Sequence, residues 1–426
     1  MPVSRRQHAL AVKDYAASGL GWRGADGAHD STSRATRMLL RLVRAAQPIS
    51  RVELARRLGV NRSTVTDAFK PLVAAGLVRE EVVPPPPAGR TLGRPAAGLS
   101  FNTERDFFVG VNVGVSRSQV GLTALGGGHF AEEGFETPAE PADALALVRA
   151  SIERLCGRVG GRRLRVIGVS VPGPTDAERK RLLYAPHLGW RDVNIADALR
   201  FQHEGGAGVP VVVENNATAA AIYEARLRLK DTPGASLENF VLVRSGTGIG
   251  VGLVLGGEVY RGTGRGEGLA GEFGHMTIVA GGKVCACGNR GCWEMYASAS
   301  AASALYAGER AGGATEPPRY VEVVARAEAG ELRARRTLER TGEYLGIGIG
   351  NVITGLGVSR VIVSGRIVYG WKFVSAALRE AVERSLAGRL SGWSVEPGEP
   401  SGAGLGGALE VAVDGFLTAG LGVTER

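Results

Sequence analysis

Cysteine is scarce: the 426 residues hold four, Cys156, Cys285, Cys287 and Cys292. So few argue against a disulfide-stapled scaffold, and three of them fall within eight residues, which suits a metal site in a reducing compartment. Long apolar runs are missing too. No stretch reaches the 18 or more apolar residues of a membrane span, so no membrane partner is expected. Arg5 and Arg6 are followed by neither a continuous apolar segment nor a cleavage pattern, so the expected location is cytoplasmic rather than secreted. Acidic residues are short in one region only. Residues 1–100 hold 16 Lys and Arg against 7 Asp and Glu, whereas the remainder holds 35 of each. The entire formal charge of +9 thus sits in the first quarter, as expected if only that quarter meets a polyanion.

What is abundant is glycine, 64 residues, many in short runs beside Val, Ile and Leu. That pattern favours an α/β protein with tight turns after its strands, and the length allows two or three domains with substantial cores. Residues 1–33 keep no lasting period and read as a tail. From 34 to 83 the pattern predicts a winged helix-turn-helix. MLLRLVRAA is an apolar-striped helix, a second helix starts at Ser50 and stops at Gly59, and a third opens with Asn61 as its N-cap. LVREEVV reads as a wing strand, and 84–100 as a Pro- and Gly-rich linker. Beyond it, strands and helices alternate in two blocks of one design: strand, small-residue turn, strand, helix. They predict two α/β lobes, 101–235 and 236–401, with a cleft between them. The last helix, near 402–426, is expected against the first lobe.

In a helix-turn-helix the second helix enters the major groove with its N-terminal residues at the base edges. Asn61, Arg62, Ser63, Thr64 and Thr66 stand there, while Val65 and Phe69 are expected to face inward. Lys70 is placed for phosphate, and Arg51, Arg56 and Arg57 on the preceding helix for the DNA backbone. Arg90 and Arg94 flank GRTLGRP, a loop suited to a narrow minor groove. The plainer alternative is a helical dimerisation module with solvent-facing arginines. Charge confined to this segment favours double-stranded operator DNA.

His275, Cys285, Cys287 and Cys292 occur in GHMTIVAGGKVCACGNRGCWE, at spacings of ten, two and five. These are four ligands of the kind that tetrahedral Zn²⁺ accepts, with Gly288 and Gly291 permitting the turns that return Cys292 to the same ion. A site with every position filled by protein is structural, one zinc per chain, and would fold a loop of low apolar content. Buried free thiols or a local disulfide are the alternatives. If one nitrogen of His275 binds metal, the other is free for a hydroxyl, which joins the metal site to a ligand site bracketed by Glu272 and Glu294.

AGEFGHM followed by CACGNRGCWE resembles the ROK group of sugar kinases and sugar-responsive repressors, over roughly residues 36–415. SGTGIGVG resembles that family's second phosphate loop, with Gly246, Thr247 and Gly248. VPGPTD and APHLGW resemble its sugar-loop region, with His187 where Asn is common. A winged helix-turn-helix ahead of a GRP joint is the arrangement of the repressor branch. The resemblance implies a two-lobed actin-like ATPase/sugar-kinase fold. It also implies a sugar in the cleft, bonded by Asn215 and Asn216 on one side and by Glu272, His275 and Glu294 on the other, with His187 close by. In kinase members the residue at 216 is Asp, the general base. An amide can hold a hydroxyl but cannot take its proton. The first phosphate loop, D-x-G-G-T in kinases, is Asn112, Val113, Gly114, Val115, Ser116 here. An acid and a glycine are thus replaced, where metal and phosphate would be organised.

The sequence therefore predicts a sugar-responsive transcriptional regulator, a repressor, acting as a homodimer or homotetramer and without enzymatic turnover. The competing readings are an ATP-dependent sugar kinase with a DNA-binding appendage, and a regulator with a vestigial sugar site that answers to a protein partner.

Overall fold

Helix α1 (Arg34–Ala46) opens the N-terminal domain and is followed by β1 (Ile49–Ser50), α2 (Arg51–Leu58), α3 (Arg62–Ala74), β2 (Val78–Val82) and β3 (Ala97–Phe101). The computed structural model describes residues 34–82, 97–202, 206, 208–230, 238–308, 316–390 and 392–418. Ser50 caps α2 by accepting a hydrogen bond from the Glu53 amide at 3.1 Å, and Gly59 ends it in the left-handed region at φ 64°. Val65, Phe69 and Leu72 turn the inner face of α3 onto Leu39, Leu40, Val43 and Leu54. The three strands form an antiparallel sheet in the order β1-β3-β2.

Strand β3 occupies residues that the sequence pattern assigned to the end of the linker. Gly98 to Phe101 are all buried, so the alternation of inward and outward residues that marks a half-buried strand is missing. The domain's core also runs on into the rest of the molecule, through Phe108, Leu125, Val166, Val413 and Phe416.

The first lobe contains β4 (Asp106–Asn112), β5 (Arg117–Ala124), β6 (His129–Glu136), α4 (Pro141–Cys156), β7 (Arg163–Val171), β8 (Arg181–Ala185), β9 (Trp190–Asn194), β10 (Val211–Asn215) and α5 (Asn216–Leu229). Its sheet order is β10-β7-β4-β5-β6, with β10, β7 and β4 parallel and β4, β5 and β6 a meander. The second lobe repeats the design with β11 (Phe240–Ser245), β12 (Ile249–Leu255), β13 (Glu258–Val259), α6 (Leu332–Leu356), β14 (Arg360–Ser364), α7 (Trp371–Glu383) and β15 (Ser394–Pro397). Its order is β13-β12-β11-β14-β15, again with three parallel strands and an antiparallel edge. Helix α8 (Ala403–Thr418) packs on β4 and β7 of the first sheet, and α5 packs on β11 and β12 of the second. The two helices touch, so the sheets meet through them, around Ala220, Phe240, Leu242, Ile362 and Ala403.

Helix α1 lies across this junction. Arg41 reaches Glu258 of the second lobe at 3.1 Å and Asp414 of α8 at 2.9 Å, and donates to the Gly257 carbonyl. Arg44 makes a bidentate pair with Glu410 of α8, both bonds 2.9 Å and both side chains buried. Glu410 also receives Arg226 of α5 at 2.8 Å. The helix that begins the N-terminal domain is thus ion-paired to both halves of the molecule.

Candidate functional site

The ends of β4, β10 and β11, the turn before β12 and the Glu272–His275 helical turn open onto one cleft between the lobes. It is lined by Asn112, Gly114, Ser116, His187, Asn215, Asn216, Gly246, Thr247, Gly248, Glu272, His275 and Glu294, which brings all the sugar-side and phosphate-loop candidates together.

Asn215 and Asn216 do different work. Asn215 caps α5: its Oδ1 accepts from the amides of Ala217 (2.8 Å) and Thr218 (3.3 Å). Its Nδ2 donates to the Gly173 carbonyl at 3.2 Å and to Glu272 Oε1 at 3.3 Å, so this amide positions the opposite wall. Asn216 makes no side-chain hydrogen bond among the described residues and presents its amide to the cleft. Glu214, the nearest carboxylate in sequence, does not substitute as a base. It is 2% exposed, and Oε2 accepts from Arg261 at 2.8 Å and Arg179 at 3.0 Å. That pairing ties a first-lobe strand to a second-lobe arginine, and its partners are too distant in sequence to be read there.

On the far wall, burial and then the neighbouring Glu294 push the Glu272 carboxyl up to about 7. Glu294 is 4% exposed and lies 3.6 Å from His187 Nε2 and 3.6 Å from His275 Nδ1. Burial raises its pKa, but the contacts to His187, Cys285 and His275 outweigh that and leave it lowered. The same Glu294 contact raises the His187 pKa against the opposing effect of burial. Gly248 leaves room beside this group: a Cβ there would lie 2.2 Å from Glu294 Oε2, so the carboxylate would have to shift.

The ligand atoms of His275, Cys285, Cys287 and Cys292 all lie within 4.8 Å of one another, a cluster that can hold a metal ion. Cys287 Sγ and Cys292 Sγ are 3.7 Å apart, close to the edge of about 3.8 Å of a tetrahedron with metal–sulfur bonds of about 2.3 Å. His275 Nδ1 faces Cys285 Sγ at 3.6 Å, while its Nε2 faces Glu272 at 3.8 Å, so one ring belongs to both cluster and cleft. Gly291, at φ 77°, brings Cys292 back: a Cβ there would meet the Val279 carbonyl at 1.8 Å.

In the N-terminal domain Asn61, Arg62, Ser63, Thr64, Thr66 and Lys70 form the exposed face of α3, and Val65 and Phe69 are buried. Asn61 occupies the N-cap position without a side-chain cap bond. Two arginines expected on the DNA backbone are turned to internal partners. Arg51, at the start of α2 beside the wing, pairs with Glu80 at 2.6 Å. Arg57 pairs with Glu53 at 2.7 Å and donates to the Leu229 and Lys230 carbonyls at the end of α5. Arg56 stays exposed, bonded to Glu53, whose carboxyl the Arg56 hydrogen bond holds down at about 2. Arg90 and Arg94 lie outside the described residues.

A helix-turn-helix with a strand wing, followed by two matching α/β lobes around a polar cleft, defines a DNA-binding protein built on a sugar-kinase-like fold. The ROK family profile matches residues 108–414 and a winged helix-turn-helix DNA-binding profile matches 33–79; the chain belongs to the ROK family. The xylose repressor of Bacillus subtilis (strain 168) is 30% identical over 362 residues, covering 83% of this chain and 88% of that protein. Among solved structures, a ROK family transcriptional regulator described as a homologue of the E. coli MLC protein superposes with a TM-score of 0.70 at 25% identity, over 91% of this chain and 97% of that one. A ROK family glucokinase from Streptomyces griseus, in complex with glucose and AMPPNP, superposes with a TM-score of 0.61 at 26% identity, over 72% of this chain and 99% of that one.

Proposed function

We propose that this protein is a sugar-responsive transcriptional repressor that holds its effector in the inter-lobe cleft and reads double-stranded operator DNA with the exposed start of α3. One observation carries the reading. The cleft gathers an unpartnered amide, two carboxylates and two imidazoles, groups that bind hydroxyls, and it lies in one chain with a winged helix-turn-helix. Asn216 and Glu272 contact the sugar from opposite walls, with His275, Glu294 and His187 completing the set. Asn215 keeps the wall in place by capping α5 and bonding Glu272.

The chain does not phosphorylate the sugar in this reading. Asn216 offers no base, and the nearest carboxylate in sequence, Glu214, is held by two arginines. Asn112 supplies no acid for Mg²⁺, and Val115 crowds the phosphate path. The cysteine cluster holds one structural Zn²⁺, with the sulfur donors and spacing that favour this ion. The protein works in the cytoplasm as a homodimer or homotetramer, so that two α3 helices meet two half-sites.

The test is a mobility shift on upstream DNA with and without a hexose and pentose panel. A sugar that binds by calorimetry yet leaves DNA affinity unchanged overturns the reading. The kinase alternative would call on Glu272, the carboxylate that Asn215 holds in the cleft. Sugar-dependent ADP release, lost in Glu272→Gln, would establish that alternative.

A further inference from the structure

Glu214 stands one residue before the cleft amides, yet its buried carboxylate is no part of the cleft lining. Oε2 takes Arg261 through Nε and Nη2, each at 2.8 Å, and Arg179 at 3.0 Å, while Oε1 accepts from the Asn215 amide at 3.2 Å. Two arginines thus crowd one carboxylate. Arg179 sits in the left-handed region at φ 57°, uncommon for a side chain of its size, and its Nε is sealed from solvent without a partner. Burial, and then Arg261, disfavours its charge. The surplus positive charge meets Asp414 on α8. Burial pushes the Asp414 carboxyl up, but Arg41, then Arg261 and Arg179, outweigh it and leave it lowered. Guanidiniums from the N-terminal domain, the first lobe and the second lobe therefore share Glu214 and Asp414.

A closed circuit leads from Arg261 back to the cleft. Its carbonyl accepts from the Gly268 amide at 2.7 Å, and Gly268 is four residues along the chain from Glu272. Gly268, at φ 85°, is pressed on the first lobe: a Cβ there would meet the Thr175 carbonyl at 1.9 Å. Backbone packed on backbone leaves no slack to absorb a movement of Glu272. The circuit closes through Asn215, which bonds Glu272 at 3.3 Å and follows Glu214 directly.

We propose that Arg261 is the latch that reports the state of the cleft to the N-terminal domain; this rests on the reading that the cleft binds a sugar effector. Glu214 and Asp414 are carried by β10 and α8 on the first-lobe side, whereas Arg261 is carried by the second lobe. A sugar gripped between Asn216 and Glu272 draws on the 261–271 loop and moves Arg261 within the socket between the two carboxylates. Displacement toward Asp414 competes with Arg41 and loosens α1, and displacement toward Glu214 leaves Asp414 to Arg41. A guanidinium exchanged between two carboxylates has two discrete arrangements, as a switch requires, and the sugar biases one of them.

Mobility shifts on the full chain read the factor by which saturating sugar changes DNA affinity, with calorimetry reading sugar binding. Arg261→Gln leaves Glu214 paired with Arg179 and should cut that factor about fivefold or more, with both bindings still measurable. Arg261→Met, which keeps the apolar stem without the charge, should do the same, and thermal melts check that both variants fold. Arg261→Lys should restore part of the factor. Arg41→Gln combined with Arg261→Gln should cut it no further than the stronger single change, because both lie on one route. A full factor in Arg261→Gln and Arg261→Met, or effects of Arg41→Gln and Arg261→Gln that multiply, overturns the latch. In either case a native chain whose DNA affinity responds to sugar keeps the regulator reading, and the latch alone falls. If sugar binds the native chain without changing its DNA affinity, or no sugar binds, both fall.

Discussion

At the scale of single residues, the two amides after β10 have separate tasks. Asn216→Ala removes one neutral hydrogen bond to the effector and should weaken sugar binding about five- to tenfold by calorimetry, with unchanged DNA affinity in the absence of sugar. Asn215→Ala removes the α5 cap and the tether to Glu272 together. Its melting temperature should fall as well, by the equivalent of about 1 kcal/mol. A matching loss of sugar affinity without any stability loss would reassign Asn215 as a direct contact. Asn216→Asp restores a carboxylate without restoring the acid at 112 or the glycine at 115, so sugar-dependent ADP release should stay at background. Residue types and spacings made the cysteine cluster readable, because it is packed into the short string CACGNRGC, whereas the cleft set was expected from the resemblance to the ROK family carried by strings such as AGEFGHM. Arg244 was equally visible as a charge inside VLVRS, but nothing in the string says that no carboxylate pairs with it among the described residues. Ion pairing between Glu214, Arg179 and Arg261 spans three distant segments, and only folding reveals it.

At the scale of elements, the segment from Met276 to Trp293 has few apolar residues and is held by isolated bridges, Thr277 to Cys292 and Val284 to Arg290. Its order should depend on the ion. Cys287→Ser is expected to lower metal affinity by more than about tenfold and to reduce metal content measured by plasma mass spectrometry. Chelation of the native chain should lower both its melting temperature and its sugar affinity, because His275 faces the cleft and the cluster at once. Native metal content in Cys287→Ser would refute its role as a ligand. Helix α3 makes a different prediction. Arg62 is exposed at its first turn and unpaired among the described residues, so Arg62→Ala should reduce the salt dependence of DNA binding by about one unit of slope, read by fluorescence anisotropy across ionic strength. Arg51→Ala should change that slope little, since Glu80 already holds its charge. The helices were legible from caps and apolar stripes. Strand β3 was not, because a short run buried throughout, beside a Pro- and Gly-rich joint, has no period to detect.

At the scale of the molecule, α1 is where the two lobes and the N-terminal domain join. Arg41 grips Glu258 of the second lobe and Asp414 of α8 on the first, so any change in lobe angle must stretch or shift that grip. Arg41→Gln should leave sugar and DNA binding each measurable but cut the sugar-induced change in DNA affinity about fivefold, as found by mobility shifts at saturating sugar. Full coupling in that variant would place the lever elsewhere. Two α/β lobes of one design were expected from two strand–turn–strand–helix blocks, whereas the arginine contacts of α1 depend on α5, α8 and β13 converging. Strand β3 also limits how this architecture can be recombined. The middle strand of the wing sheet lies on the far side of the linker from the helices it completes, and five residues later the chain is already in β4, at the centre of the first lobe's sheet. A chimera joined within 84–96 would pair one protein's helices with another's central strand. Grafting a new operator preference onto this sensor therefore calls for a seam after Phe101, or for a donor whose own strand is carried across with its helices.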